Sequence, residues 1–181
     1  MYRLYIKRIL DILFSLIFLP FFVVIILTLT PFIYIWDQGP IFYNAYRMGK
    51  KGRRFKMFKF RSMKVNAPDL RNPDGSTYNA ENDPRLTKIG RFLRKTSIDE
   101  LPQLINVLIG DMSLVGPRPT LYSDKYPSYD EHTKKRYDVR PGITGYTQAY
   151  FRNSIGQEEK FKHDVWYVEN LSFLLDMKIL I

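Results

Sequence analysis

The chain has 181 residues, 45% of them hydrophobic and 25% charged, which suits one folded domain and excludes a disordered chain. Lys and Arg outnumber Asp and Glu by 28 to 18, a formal net charge of +10 that points to an anionic partner: nucleic acid, phospholipid headgroups or a phosphorylated small molecule. With no cysteine and only His132 and His163, the sequence excludes disulfides, thiolate metal sites and a cysteine nucleophile, and argues against a histidine-rich metal site.

The first element is apolar. Ile12 to Trp36, "ILFSLIFLPFFVVIILTLTPFIYIW", carries no charge over twenty-five residues, and about 20 such residues in a helix match a hydrocarbon core of ~30 Å. A signal peptide is the rival reading, but its apolar core runs to roughly 7–15 residues, and no small-x-small cleavage site follows here. Positive charge usually marks the cytoplasmic flank, yet both flanks are positive: Arg3, Lys7 and Arg8 before, Arg47 to Lys56 after. A re-entrant helix, bent where Pro20 removes a hydrogen bond, reconciles the flanks; a kinked spanning helix stays open.

From Gly39 the text becomes basic and aromatic. Ile41 to Tyr46 reads as a strand, "GKKG" (Gly49 to Gly52) as a turn, and Arg54 to Met63 as a second strand. Lys50 to Lys64 holds eight basic residues and no acid, which favours contact with anionic headgroups at ~1 kcal/mol per charge. Basic and aromatic residues also alternate on nucleic-acid stacking platforms, but a chain moored by its apolar segment makes an awkward nucleic-acid binder. Lys59 and Arg61 are the positions expected to reach a bound phosphate. Val65 to Arg85 is a polar loop by composition; its acids Asp69, Asp74, Glu81 and Asp83 fit no metal-binding spacing.

Leu86, Ile89, Phe92 and Leu93 recur at helical spacing with Lys88, Arg91, Arg94 and Lys95 on other faces, an amphipathic basic helix. A second helical run follows over Leu101 to Leu108, stopped at Gly110-Asp111, and "MSLVG" reads as a short strand. Between the two helices stands "SIDE", Ser97 to Glu100. It matches a capping box, in which Ser caps a helix and Glu reaches back. The rival reading is chemical: a carboxylate near a helix start faces an anion site, Asp99 attacks phosphorus as a nucleophile, and Glu100 shares a Mg²⁺ with it. "GPRP" fixes Arg118 between two prolines, where its fork could grip phosphate. "RPGITGYTQAYFRN" is a glycine-punctuated loop with Arg140 and Arg152. Asp164 and Asp176 lie in apolar surroundings, where paired structural acids and ligands of a metal or ribose both occur.

In this order the motifs "KRILDILFSL", "GPIFYNAYRMGKKGRRFKMFKFRSM", "SIDELPQLINVLIGDMSLVGPRP", "RPGITGYTQ" and "DVWYVENLSFLLDMKI" resemble the bacterial sugar transferase family, the monotopic phosphoglycosyl transferases. The resemblance implies a small, α-rich α/β core on a re-entrant N-terminal helix with amphipathic helices in the interface, divided as residues 1–38 in the membrane and 39–181 as a catalytic domain. It implies transfer of a sugar-1-phosphate from a UDP-sugar to polyprenyl phosphate, at the cytosolic face of the bacterial inner membrane, to initiate glycoconjugate biosynthesis. By the same match Asp99 is the nucleophile, Glu100 its helper, Mg²⁺ the cofactor bound by these two, and Lys59, Arg61, Arg118, Arg152, Asp164 and Asp176 contact substrate. Leu19-Pro20 stands where members often have Ser-Pro, and Tyr150-Phe151 replaces small and polar residues, which bears on sugar preference. The chain stops at Ile181 inside an apolar run, and it resembles the minimal catalytic form. Two alternatives stay open: a non-enzymatic membrane-bound basic module, and a UDP-sugar hydrolase or lipid phosphatase. The sugar and the oligomeric state are not written in the sequence; a homodimer is open.

Overall fold

A computed structural model describes residues 1–72, 78, 80, 82–123, 126–152 and 154–181; Asp74 and Glu81 lie outside the described residues. The elements in order are α1 (Lys7–Trp36), β1 (Ala45–Met48), β2 (Arg54–Met57), α2 (Lys88–Lys95), α3 (Gln103–Ile109), β3 (Ser113–Val115), α4 (Glu131–Lys134), β4 (Gly142–Thr144), α5 (Tyr146–Tyr150), α6 (Gln157–Glu169) and α7 (Phe173–Leu180). The fold is mixed α/β and helix-rich. The chain forms two compact units: residues 1–17, 45–57 and 103–181, and residues 18–44 and 58–102.

α1 is one helix with Pro20 and Pro31 inside it, so neither proline ends it. By length and composition it can cross a membrane, and only 11% of its most apolar stretch is buried, far from the burial of a core helix. Its first turns belong to the first unit. There Arg8 donates to the carbonyls of Val107 and Leu108 at the end of α3, and the Asp11 carboxylate accepts from the Ser113 hydroxyl (2.8 Å) and the Leu114 amide (3.0 Å).

In the first unit β1 and β2 are an antiparallel hairpin in the register Ala45↔Met57 to Met48↔Arg54. Gly52 takes φ +75° in its turn, a conformation open to glycine at no steric cost. Phe55 and Met57 face inward onto Val107 of α3 and Met112. β3 pairs in parallel with β4, Ser113↔Gly142 and Val115↔Thr144, and Val115 joins Val139, Tyr167, Val168 and Ile179 in a second core. The "RPGITG" stretch, expected as a loop, thus contributes a strand.

In the second unit Phe42↔Phe60 is a single antiparallel bridge, and of the expected strands Ile41–Tyr46 and Arg54–Met63 only Ala45–Met48 and Arg54–Met57 form. Phe60, fully buried, stacks on Phe42 and packs against Phe22 of α1. α2 starts where the Thr87 hydroxyl accepts the Gly90 amide (2.9 Å). Gly90 lies so close to the Ser62 backbone that a Cβ would stand 1.8 Å from its carbonyl oxygen.

Candidate active site

Asp99 and Glu100 lie in a single 3-10 turn, Ile98–Glu100, between α2 and α3. The capping box is overturned. Ser97 sits at φ +57°, its side chain caps nothing, and its amide donates to the Arg94 carbonyl (3.2 Å). Ser97 is instead the left-handed residue that closes α2, a place where glycine or asparagine is usual. That turn swings the chain so that the Asp99 carbonyl accepts from the Phe60 amide (3.0 Å), which seats the turn on the segment carrying Lys59.

The consequence is a three-residue constellation. Lys59 Nζ stands 2.7 Å from Asp99 Oδ2 and 3.3 Å from Glu100 Oε1. Asp99 is 2% exposed. Its Oδ2 is close enough to Lys59 for an ion pair but receives no aligned hydrogen bond among the described residues. A buried carboxylate oxygen normally has such a donor. Lys59 offsets part of the charge of the two carboxylates, and no hydrogen bond from a described residue occupies the Oδ2 lone pairs.

Arg61 is placed elsewhere. It is buried, donating through Nε to the Pro40 carbonyl (2.7 Å) and through its two terminal nitrogens to the Asp37 carboxylate and carbonyl. Its donors tie down the chain leaving α1, and the structure does not bring it to Asp99.

Arg118, Arg152, Asp164 and Asp176 belong to the first unit. Arg118 is exposed, and its carbonyl accepts from Arg136 (3.0 Å). Arg152 is exposed at φ +46°. Asp164 is buried, with one oxygen bound to Arg136 (2.7 Å) and the other accepting from the Thr147 hydroxyl (3.0 Å). Asp176 accepts from Tyr2, Lys7 (2.5 Å) and Tyr167 (2.6 Å); burial, then the Asp176 charge, pushes the Tyr167 phenol well above its ordinary range. Both acids are engaged in internal networks. Arg136 was not singled out from sequence: it is one cation in the run "KKRYDVRPG", and only the fold shows that it joins Asp164 to the Arg118 loop.

Residues 2–181 match the profile of the bacterial sugar transferases. The chain belongs to the bacterial sugar transferase family. It is 51% identical over 142 residues to an uncharacterised sugar transferase, EpsL, of Bacillus subtilis, an alignment covering 78% of this chain and 67% of the relative. It is 42% identical over 164 residues to the undecaprenyl-phosphate galactose phosphotransferase of Salmonella typhimurium, covering 82% and 34%. To the UDP-glucose:undecaprenyl-phosphate glucose-1-phosphate transferase of Escherichia coli it is 41% identical over 150 residues, covering 79% and 32%. The chain thus spans about a third of the length of these last two relatives.

Proposed function

We propose that this chain is a phosphoglycosyl transferase that moves a sugar-1-phosphate from a UDP-sugar to a polyprenyl phosphate and releases UMP. The observation that carries the reading is Asp99 Oδ2, buried, ion-paired with Lys59, and without an aligned hydrogen bond. The names of the Salmonella and E. coli relatives supply undecaprenyl phosphate as the acceptor class.

In the proposed reaction an Asp99 carboxylate oxygen attacks the β-phosphorus of the UDP-sugar. The bond from that phosphorus to the bridging oxygen breaks, and the oxygen leaves with UMP. The resulting aspartyl phosphosugar is attacked by an oxygen of the polyprenyl phosphate, which returns the carboxylate and forms the lipid diphosphosugar. Lys59 holds Asp99 in place and offsets negative charge as the phosphate approaches. Arg118 and Arg152 are proposed to contact phosphate or nucleotide, Asp164 to brace the Arg118 loop through Arg136, and Asp176 to tie Tyr2 and Lys7 to Tyr167. The carboxylate set suits Mg²⁺, which takes one or two carboxylates and completes its shell with waters and substrate phosphates. Among the described residues no group of three or more His, Cys, Asp or Glu forms an all-protein cage. Asp99 and Glu100 would hold the ion, and it would neutralise diphosphate charge.

The chain is further proposed to be monotopic, with α1 re-entrant. Arg8 and Asp11, at the start of α1, bond to Val107, Leu108, Ser113 and Leu114, residues that follow the helix's far end in the chain. Among the described residues no second helix is long and apolar enough to return across a bilayer. A spanning α1 would separate those partners onto opposite faces. The basic α2, with Phe92 exposed, and α7, with Phe173 and Leu174 exposed, suit an interfacial position in contact with phospholipid. That face is proposed to be the cytosolic side of the bacterial inner membrane, where a UDP-sugar would be met.

The test is intact-protein mass after incubation with candidate UDP-sugars and Mg²⁺ and without lipid acceptor. The expected result is a phosphosugar adduct, absent in Asp99→Asn and discharged by polyprenyl phosphate. UMP release to water with no acceptor requirement would overturn the transferase in favour of a hydrolase.

A further inference from the structure

A second concentration of charge lies within the first unit, at the far end of α3. A cavity of about 240 Å³ is lined by Lys50, Lys51, Arg53, Gly110, Asp111 and Arg140. That is more than ten times the roughly 10–15 Å³ needed for one water. Four cations and one acid, Asp111, line it. Lys51 is taken by Asp138 (2.5 Å), and Arg53 Nη2 is held loosely, 3.7 Å from Asp111 Oδ1. The Lys50 side chain makes no hydrogen bond or ion pair among the described residues, and the Arg140 side chain spends only its Nε, on the Gly110 carbonyl (2.7 Å).

The cavity's level relative to the membrane follows from α1. The Arg8 guanidinium would lie 3.4 Å from a Cβ on Gly110, at the cavity wall, while it donates to the carbonyls of Val107 and Leu108. Arg8 precedes Ile12, the first residue of the uncharged run, by four residues, about 6 Å of helix. With α1 entering hydrocarbon at Ile12, the cavity wall would stand about one helical turn from it. That is headgroup depth.

We propose that this cavity is a binding site for the phosphate-bearing headgroup of an anionic lipid, with Lys50, Arg53 and Arg140 as its ligands. The lining suits an anion that is held by several separated cations, as basic pockets beside membrane helices hold phospholipid headgroups. The shared chemistry is a phosphate; a free phosphate could supply it as well as a lipid. The inference rests on the membrane insertion of α1, which flotation of the chain with vesicles reads separately from the site.

The experiment uses the full chain in nanodiscs of phosphatidylcholine containing a minor fraction of phosphatidylglycerol, with retained lipid counted by native mass spectrometry. Wild type is expected to retain phosphatidylglycerol selectively. Lys50→Gln with Arg53→Gln, both exposed side chains, should cut that retention by roughly 10- to 30-fold. Lys160→Gln with Lys162→Gln, an equal charge loss on α6, should leave it unchanged. A parallel arm titrates inorganic phosphate by calorimetry into the chain in detergent. If phosphate binds with the same dependence on Lys50 and Arg53 while the lipid is not retained, the site stands and its phosphate is soluble. If neither probe distinguishes the two double variants, or if phosphatidylcholine is retained equally, the proposal is overturned.

Discussion

Lys59 Nζ lies 2.7 Å from Asp99 Oδ2, and the oxygen it neutralises carries no aligned hydrogen bond. Removing one member of a buried pair leaves the other charge uncompensated, at about 3–5 kcal/mol when both are fully enclosed. Lys59 keeps some exposure, so Lys59→Met should cost less, about 2–3 kcal/mol by thermal unfolding. It should also lower kcat/KM for UMP release by roughly 10²–10³. Adding Asp99→Asn should restore most of the stability and none of the activity. A double variant as unstable as Lys59→Met would mean that lysine packing, not the charge pair, sets the loss.

Ser97 separates two accounts of the acid pair. An N-cap serine replaced by alanine costs about 1 kcal/mol. Because Ser97 makes no cap bond and instead sits at φ +57° behind α2, Ser97→Ala should stay within about 0.5 kcal/mol of wild type. Ser97→Gly should match or exceed wild-type stability, and Ser97→Val should lose about 1–2 kcal/mol, since branching at Cβ is penalised in the left-handed region. Unfolding midpoints of the three variants give the order directly.

The sequence announced some of this and concealed the rest for identifiable reasons. The apolar run, the hairpin around Gly49 to Gly52, and α2 with its Leu86–Leu93 pattern were legible because each is a local periodicity or turn. The Asp99-Glu100 pair was legible as a motif, but its geometry was not, because serine before an acid pair normally signals a cap rather than a left-handed closure. β4 escaped because its three residues, Gly142 to Thr144, are too few to show alternation. The partners of Asp164 and Asp176 were invisible for another reason: Arg136 is 28 residues away and Lys7 is 169, and no local pattern encodes such pairs. Arg61 read as a phosphate ligand by composition, while Asp37, 24 residues earlier, already claims it.

Gly90 is fixed by proximity. A Cβ there would meet the Ser62 carbonyl oxygen at 1.8 Å and its carbonyl carbon at 2.6 Å, backbone atoms that cannot rotate away. Alanine ordinarily gains up to ~1 kcal/mol over glycine inside a helix. Here the clash should outweigh that, so Gly90→Ala should lose about 3 kcal/mol. Since Ser62 is three residues from Lys59, activity should fall as well. Gly156→Ser, at a helix start where a Cβ meets nothing within 4 Å, serves as the control and should shift the melting midpoint little in either direction.

Asp83 gives the second unit an acid-sensitive anchor. Its carboxylate accepts from the Arg85 side chain (2.6 and 2.9 Å) and amide (3.0 Å), with Arg94 at 3.9 Å. The hydrogen bond from the Arg85 guanidinium is the main reason its pKa lies below the usual aspartate value, against the opposing effect of burial. A carboxyl with a depressed folded-state pKa adds stability that is fully present above the unfolded value of about 3.9 and is lost as pH falls through the folded one. Melting midpoints measured from neutral pH downward should therefore fall more steeply in wild type than in Asp83→Asn. The two curves should converge at the acid end. Parallel curves would show that the pair contributes no pH dependence.

The absence of cysteine from the sequence makes the topology of α1 testable with single thiols. Tyr5, before the apolar run, is 67% exposed, and Tyr43, after it, is 58% exposed, so Cys at either site should react without disturbing the fold. Arg8 and Asp11 bond to chain segments that lie beyond Trp36, and the re-entrant α1 proposed above would keep positions 5 and 43 on one face of the membrane. A membrane-impermeant maleimide applied to sealed inverted vesicles should label Tyr5→Cys and Tyr43→Cys alike, and neither should react in intact cells. A spanning helix would give opposite results at the two positions. It would also force the Asp11 carboxylate away from Ser113 and Leu114, so the same outcome would remove the anchor on which the headgroup depth of the basic cavity depends.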